Sequence, residues 1–430
     1  MLIAKQNRKA LFTKLPSNSI AIIWGNKLQY RSHDVEYVFR QNSNFYYLTA
    51  FEEPNAVAVF IKTLYNEEQF ILFSQALNID QAIWTGSIIG QKLAVELYGA
   101  DLAYSIDQID DILPELLVHK EILYYPMLQM AAIETNLLKW RNISQKITKA
   151  KNNYFFPNKS QDLHAVLYEL RLIKSPLELE NMRYVAQISA KAHEHVIRYV
   201  ANNSNLTERH IQAEFYNYCL KHGCTDMAYP PIVAAGTNAC ILHYTKNSAR
   251  LKQSDLLLID AGAEYNYYAA DITRTFPING KFSAKQRDLY QLVLQAQKAA
   301  INTIKPKLLW SNLQQTIVLF IVQGLVDLKL LSGNIYDLIS NQAYKKFYMH
   351  GSGHFLGMDV HDPSSYKINN EYRQLLPGMV LTIEPGIYIQ EEGIGIRIED
   401  DILVTELGYE VLTKDAIKDV DDIEYLMKNK

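Results

Sequence analysis

The sequence predicts an α+β protein of two unlike halves, on three observations. Its 430 residues exceed what one hydrophobic core ordinarily organises, so two or three domains are expected. Pairs of strand-like runs are interleaved with helical stretches without a regular βαβ alternation, which argues against a doubly wound sheet. And 8 of the 18 glycines fall in the segment 351–408, so tight turns and close backbone approaches are concentrated there.

The first third, residues 1–160, reads as a mixed α/β domain. Residues 19–24, 56–62 and 68–73 are short apolar runs of buried-strand type, separated by helical stretches such as 90–97. The polar, proline-containing segment 151–160 (KNNYFFPNKS) closes this domain. A linker is expected over 161–174, and a second domain over 175–430. There Ser175-Pro176-Leu177-Glu178 combines a capping box with proline at the first helical position, so a long helix should run towards Val200. Thr207 opens a second helix that stops near Gly223. Ser283-Ala284-Lys285-Gln286 caps a third, and 310–331 holds a fourth. Between and after them, 255–263, 267–276, 380–389 and 395–404 are expected as strands. Neither a solenoid repeat nor a low-complexity tract interrupts the pattern.

Composition narrows the function. With 48% hydrophobic, 21% charged and 11% aromatic residues the chain is that of a globular protein rather than a disordered one. Forty-three basic against 46 acidic residues leave a net charge of −3, with no global excess to draw nucleic acid or an anionic membrane. Three cysteines, Cys219, Cys224 and Cys240, are too few for a disulfide framework and fit a reducing compartment. The start, MLIAKQNRKALFTK, lacks the apolar stretch of a signal peptide, and the longest apolar run, near 317–322, is too short to span a bilayer. A cytoplasmic protein is expected, with its chemistry in local motifs.

Four carboxylates carry that chemistry. In LLLIDAGAEYNYYAADITRTF, Asp260 and Asp271 are equidistant from a turn between Tyr265 and Asn266, so an antiparallel hairpin would set them face to face. In LTIEPGIYIQEEGIGIRIEDD, Glu384 and Glu399 are equidistant from a turn at Glu391-Glu392, beside Gly393. Pro385-Gly386 adds a kink or bulge. Opposed like charges destabilise a sheet, and buried ionised carboxylates cost several kcal/mol each unless compensated. Arg274 and Arg397 can serve two of the four at most. The alternative is that some of these acids face solvent, as a lone strand Asp or Glu usually does. Divalent cations resolve the conflict for all four.

The segment MHGSGHFLGMDVHDP adds His350, His354 and His361 in a glycine-rich loop or strand, unlike the helical H-E-x-x-H of zincins. Four carboxylates and one imidazole nearly balance two divalent ions. The oxygen-rich set suits Mn²⁺, Co²⁺, Zn²⁺ or Fe²⁺, and two carboxylate-bridged ions can hold a hydroxide and deliver it to a carbonyl. His193 and His195 are expected to be solvated or to pack within the long helix, and Cys219/Cys224 lack a matching pair for a zinc site.

With these residues in view, ILHYT, DAGAEYNYYAADITRTFP, MHGSGHFLGMDVHD, LTIEPGIYI and GIGIRIEDD resemble the catalytic domain of metal-dependent X-Pro aminopeptidases, the pita-bread fold. RSHDVEYVFRQNSNFYYLTAFEEPNAVAVF resembles the aminopeptidase P amino-terminal domain, so the likeness covers most of the chain. It implies two divalent ions per subunit, Mn²⁺ foremost, held by Asp260, Asp271, His354, Glu384 and Glu399. By analogy Asp271 and Glu399 bridge, Asp260 completes one ion, and His354 with Glu384 completes the other. The resemblance further implies a bridging hydroxide as nucleophile and Glu384 as proton shuttle. His243 and His361 would bind the substrate carbonyl and stabilise the tetrahedral intermediate. His350 and Arg397 would line the proline pocket, with Arg397 alternatively only orienting the carboxylates, and Asp260 would hold the free α-amine. The family's oligomers imply a homodimer or homotetramer in which Trp84 matches a position reaching a neighbouring subunit's site; a core tryptophan is the alternative. Three features depart from the pattern: a short loop after Ile389, ANNSN without Pro-Gly, and Gly353 where relatives carry Ser.

The expected activity is removal of the first residue from peptides with proline second. A prolidase acting on X-Pro dipeptides is the nearest rival. A methionine aminopeptidase is disfavoured by the large amino-terminal domain, and a metal-free creatinase-like reaction by the full ligand set. A catalytically inactive peptide-binding member is the rival of another class.

Overall fold

A computed structural model describes residues 1–127, 130–148 and 155–429. They divide into two compact units, Met1–Leu170 and Arg171–Lys430.

The first unit is built on a six-stranded mixed sheet. Its spatial order is Leu102–Ser105, Glu68–Ser74, Val57–Lys62, Ser19–Trp24, Ile122–Tyr125 and Lys159–Asp162. The central three strands pair antiparallel and the flanking ones parallel. The strands are rich in β-branched and aromatic residues, and Ile20, Ile22, Val59, Ile71 and Phe73 pack with Leu113, Leu117 and Trp140 in one core cluster. The stretch expected to be a linker is regular. Lys159–Asp162 completes the sheet edge and Leu163–Leu172 is a helix, because its leucines recur at helical spacing (Leu163, Leu167 and Leu172 are all buried). Residues 151–154 of KNNYFFPNKS lie outside the described residues. Trp84 is 87% exposed, which excludes the core-tryptophan reading.

In the second unit the expected helices form at Pro176–Asn202, Glu208–Lys221, Ala284–Thr303 and Trp310–Asp327. The capping box at the first is present: Ser175 Oγ accepts from Glu178 N, and Ser175 N donates to Glu178 Oε2 at 2.8 Å. Glu178 Oε1 also accepts from Tyr268 Oη at 2.9 Å, fastening the helix to the first hairpin.

The expected strands form, but each is interrupted. Leu256–Asp260 sits between Ile232–Ala235 and Thr273–Pro277 in one antiparallel sheet; Asp400–Val404 sits between Val380–Ile383 and Tyr409–Val411 in another. Gly386–Ile389 pairs with Ile394–Arg397. Arg274 joins the two hairpins from beneath: its guanidinium donates to Asp400 Oδ1 at 2.7 Å and to the Glu399 carbonyl at 2.6 Å. It therefore compensates Asp400 rather than any of the four acids singled out above.

Candidate metal and peptide site

The first hairpin corrects the expected register. Its two-residue turn is Asn266-Tyr267, both with positive φ (48° and 69°), one position later than the midpoint of the two acids. Asp260 consequently lies opposite Thr273, not opposite Asp271. The shift moves the partner by two residues, and side chains two apart share a face, so both carboxylates still point the same way. Asp271 sits in the irregular backbone between Tyr268–Ala269 and Thr273–Pro277.

The second hairpin follows the expected register. Ile383 lies opposite Asp400 and Gly386 opposite Arg397, which leaves Glu384 across from Glu399 where both strands break. Pro385 lacks an N–H for the ladder and enforces that break.

His354 is delivered by backbone pairing with the Val380–Ile383 strand. Thr382 N donates to the His354 carbonyl at 2.8 Å and Glu384 N to the Ser352 carbonyl at 2.9 Å. A Cβ built on Gly353 in this backbone would stand 1.9 Å from the Thr382 carbonyl oxygen, so a side chain here, such as the serine of relatives, requires the two segments to shift apart.

These elements enclose one cavity of about 340 Å³. All nine side chains singled out from the sequence line it: His243, Asp260, Asp271, His350, His354, His361, Glu384, Arg397 and Glu399. Ligand atoms of Asp271, His354 and Glu399 lie within 4.8 Å of one another. His354 Nε2 stands 3.3 Å from Asp271 Oδ2, 3.9 Å from Glu384 Oε1 and 4.0 Å from Glu399 Oε1. Its Nδ1 lies 3.1 Å from the Phe355 carbonyl. A carbonyl can only accept, so Nδ1 carries a proton and Nε2 faces the acids, the arrangement a metal-ligating histidine needs.

The electrostatics record the crowding. Burial and then the neighbouring acids raise Asp271 above its ordinary value and Glu399 well above its own. Glu384 reaches about 7, chiefly through burial, with His354 and Arg397 opposing the rise. Burial works against charge on His354, yet Asp271 and Glu384 raise it to about 9. Protons thus take up the charge that cations would neutralise, and the donor set, a group of carboxylates around one correctly presented imidazole, fits divalent metal.

Arg397 holds one wall. It is buried and donates to Asp260 Oδ2 at 2.5 Å, Thr273 Oγ1 at 3.1 Å and Tyr388 Oη at 3.0 Å. His350 Nδ1 donates to the Gly351 carbonyl at 3.0 Å, so Nε2 accepts from Tyr388 Oη at 2.8 Å. Burial lowers His350 to about 4, keeping it neutral. His361 stacks edge-on against His354, ring centroids 4.4 Å apart. Sequence reasoning missed three residues of the site: Tyr229, whose hydroxyl lies 2.6 Å from Asp260 and 2.5 Å from Asp271, Thr273 and Tyr388. Tyr388 stands two residues after Gly386 on a strand expected to carry the site, and that proximity is its one signal.

Comparison with known proteins decides the family. Metallopeptidase family M24 matches residues 180–406, and the aminopeptidase P N-terminal domain matches residues 4–124. The chain belongs to metallopeptidase family M24. Its two-domain architecture is that of the family's aminopeptidase P branch, an N-terminal domain followed by a pita-bread domain. The chain is 38% identical to the Xaa-Pro aminopeptidase of Escherichia coli (strain K12) over 98% of this chain and 97% of that one. It resembles the structure of Pseudomonas aeruginosa aminopeptidase PepP with TM-score 0.94 and 44% identity, covering 99% and 97% of the two chains. The zinc-substituted E. coli aminopeptidase P in complex with product aligns with TM-score 0.95 and 38% identity over 99% and 98%. This M24 chain is therefore a metallopeptidase with an intact candidate site. Among the described residues no helix is long and apolar enough to cross a membrane.

Proposed function

We propose that this M24 peptidase releases the N-terminal residue from peptides with proline second. The observation that carries the reading is the complete donor set inside the 340 Å³ cavity of a chain that matches a named Xaa-Pro aminopeptidase end to end. Asp260, Asp271, His354, Glu384 and Glu399 would hold the metal. When bound, two divalent ions, Mn²⁺ first and Zn²⁺, Co²⁺ or Fe²⁺ as substitutes, supply an activated water and a polarised scissile carbonyl.

The chain's own groups do the rest. Glu384 takes a proton from the attacking water and passes it to the departing proline nitrogen. His243 and His361 orient the carbonyl and donate to its oxygen as charge develops there. Asp260 receives the free α-amine, which limits cleavage to the first residue, while Arg397 fixes its other oxygen. Neutral His350, held by Tyr388, offers a ring face to proline. We place the enzyme in the cytoplasm as a homo-oligomer, a dimer or tetramer; the three free cysteines suit a reducing compartment.

The test offers Mn²⁺-loaded protein an X-Pro-Y tripeptide and an X-Pro dipeptide, with a chelated control, and identifies products by mass spectrometry. Release of X from the tripeptide, lost on chelation, is expected. Preference for the dipeptide would make this a prolidase, and cleavage of neither would sink the peptidase assignment to proline substrates.

A further inference from the structure

We infer that Glu208 is the positioning residue for His243, an assignment that rests on the role given to His243 above. His243 lies in irregular backbone between the Gly236–Cys240 turn and the Leu256–Asp260 strand. Among the described residues nothing hydrogen-bonds its ring, so its place is set through its loop. Glu208, in the first turn of helix Glu208–Lys221, is completely buried. Its carboxylate accepts four hydrogen bonds. Oε1 receives Ala235 N at 3.0 Å and Asn238 Nδ2 at 2.9 Å; Oε2 receives Tyr244 Oη at 2.8 Å and Ala249 N at 2.8 Å.

Those donors bracket His243 on both sides, at 235 and 238 before it and at 244 and 249 after it. The return leg is also zipped to the helix start, with Glu208 N donating to the Ala249 carbonyl and Leu251 N to the Leu206 carbonyl, both at 3.0 Å. Among the described residues no lysine or arginine pairs with Glu208, so oriented N–H and O–H donors alone match its charge. A carboxylate is the one side chain that offers two acceptor oxygens here. Glutamine keeps the shape but turns one of them into a donor, and Ala235 N or Ala249 N then faces an N–H. None of the five proposed ligands lies on this loop, so loosening it disturbs carbonyl orientation and spares metal.

The test is a double-mutant cycle. Glu208→Gln is expected to lower kcat on an X-Pro-Y tripeptide by about tenfold with metal content at the wild-type level, and to change it less than about twofold in a His243→Ala background, since coupled sites are non-additive. Equal fold-losses in both backgrounds, or metal lost in step with activity, would overturn the assignment. If Glu208→Gln does not fold, Tyr244→Phe, which removes one of the four donors, takes its place in the cycle, with the same outcomes supporting or overturning the assignment. Hydrogen exchange by mass spectrometry gives a readout independent of turnover. Residues 236–249 should exchange several-fold faster in the variant while 380–404 does not change, and unchanged exchange at 236–249 refutes the positioning role even in a chain inactive on the peptide. Inactivity of the wild-type enzyme would count against the functional reading alone.

Discussion

Three of the four acids, Asp260, Asp271 and Glu399, accept hydrogen bonds from Tyr229, Arg397 or Thr273, none of which moves a proton in the proposed reaction. Thr273 Oγ1 donates to Glu399 Oε2 at 2.6 Å and accepts from Arg397 Nε at 3.1 Å, so one hydroxyl fixes a carboxylate and the guanidinium that grips Asp260. Thr273→Val retains the branched shape and removes both bonds. Metal affinity should fall about 10–100-fold, the usual cost of losing an outer-shell partner, with the fold intact by circular dichroism. A metal titration that returns wild-type affinity would show that Thr273 does not support the site. Direct removal of a ligand acts harder: Asp271→Ala should lose metal and activity together, and a fully active variant would remove Asp271 from the ligand set. The acids and histidines are legible in the sequence because their types and spacing are rare in strands and glycine-rich loops. Thr273 and Tyr229 are not, since hydroxyl residues are common throughout strands and the segments between them, and only the fold reveals which hydroxyl meets which carboxylate.

The elements explain why those acids converge. Strands are readable from apolar runs, and the Glu384–Glu399 register from Gly393 as turn and Pro385 as break. The Asp260–Asp271 register is not, because Asn266-Tyr267 takes a two-residue turn with positive φ, and tyrosine is a poor advertisement for that conformation. The site nonetheless survives the difference, since a two-residue shift keeps a face. Helix Pro176–Asn202 locks this hairpin in place. His193 Nε2 donates to the Ala261 carbonyl at 3.0 Å, beside Asp260, and its ring meets Phe215 edge-on. Burial lowers His193 to about 4. The folded chain therefore keeps the ring neutral while the unfolded chain protonates it near pH 6.5. Its contribution is complete above pH 6.5 and is lost as pH falls towards 4, on the order of 3 kcal/mol at full extent. Urea unfolding of His193→Gln across that range should show a pH slope smaller by one proton than wild type. An unchanged slope would mean that His193 does not titrate on unfolding.

For the molecule as a whole, all five proposed ligands lie in Arg171–Lys430, and none in Met1–Leu170. Four of them sit where strands end or break, at Asp260, Asp271, Glu384 and Glu399, so the price of the site is a set of shortened ladders held by side chains. Cations that bind the folded form and not the unfolded one stabilise it by mass action, about 2.7 kcal/mol at a hundredfold excess over Kd. Without them, the clustered acids must take up protons or repel, and the shortened ladders lose their common anchor. Chelation should accordingly raise amide exchange in Leu256–Asp260, Thr273–Pro277, Val380–Ile383 and Asp400–Val404. Exchange in Ser19–Trp24 and Val57–Lys62 should not change, because their core cluster contains no titrating group facing a cation. Hydrogen exchange by mass spectrometry, with and without chelator, reads both units in one experiment. Equal loosening of the two would contradict a metal confined to the second unit, and no change in either would contradict a metal that supports the fold at all.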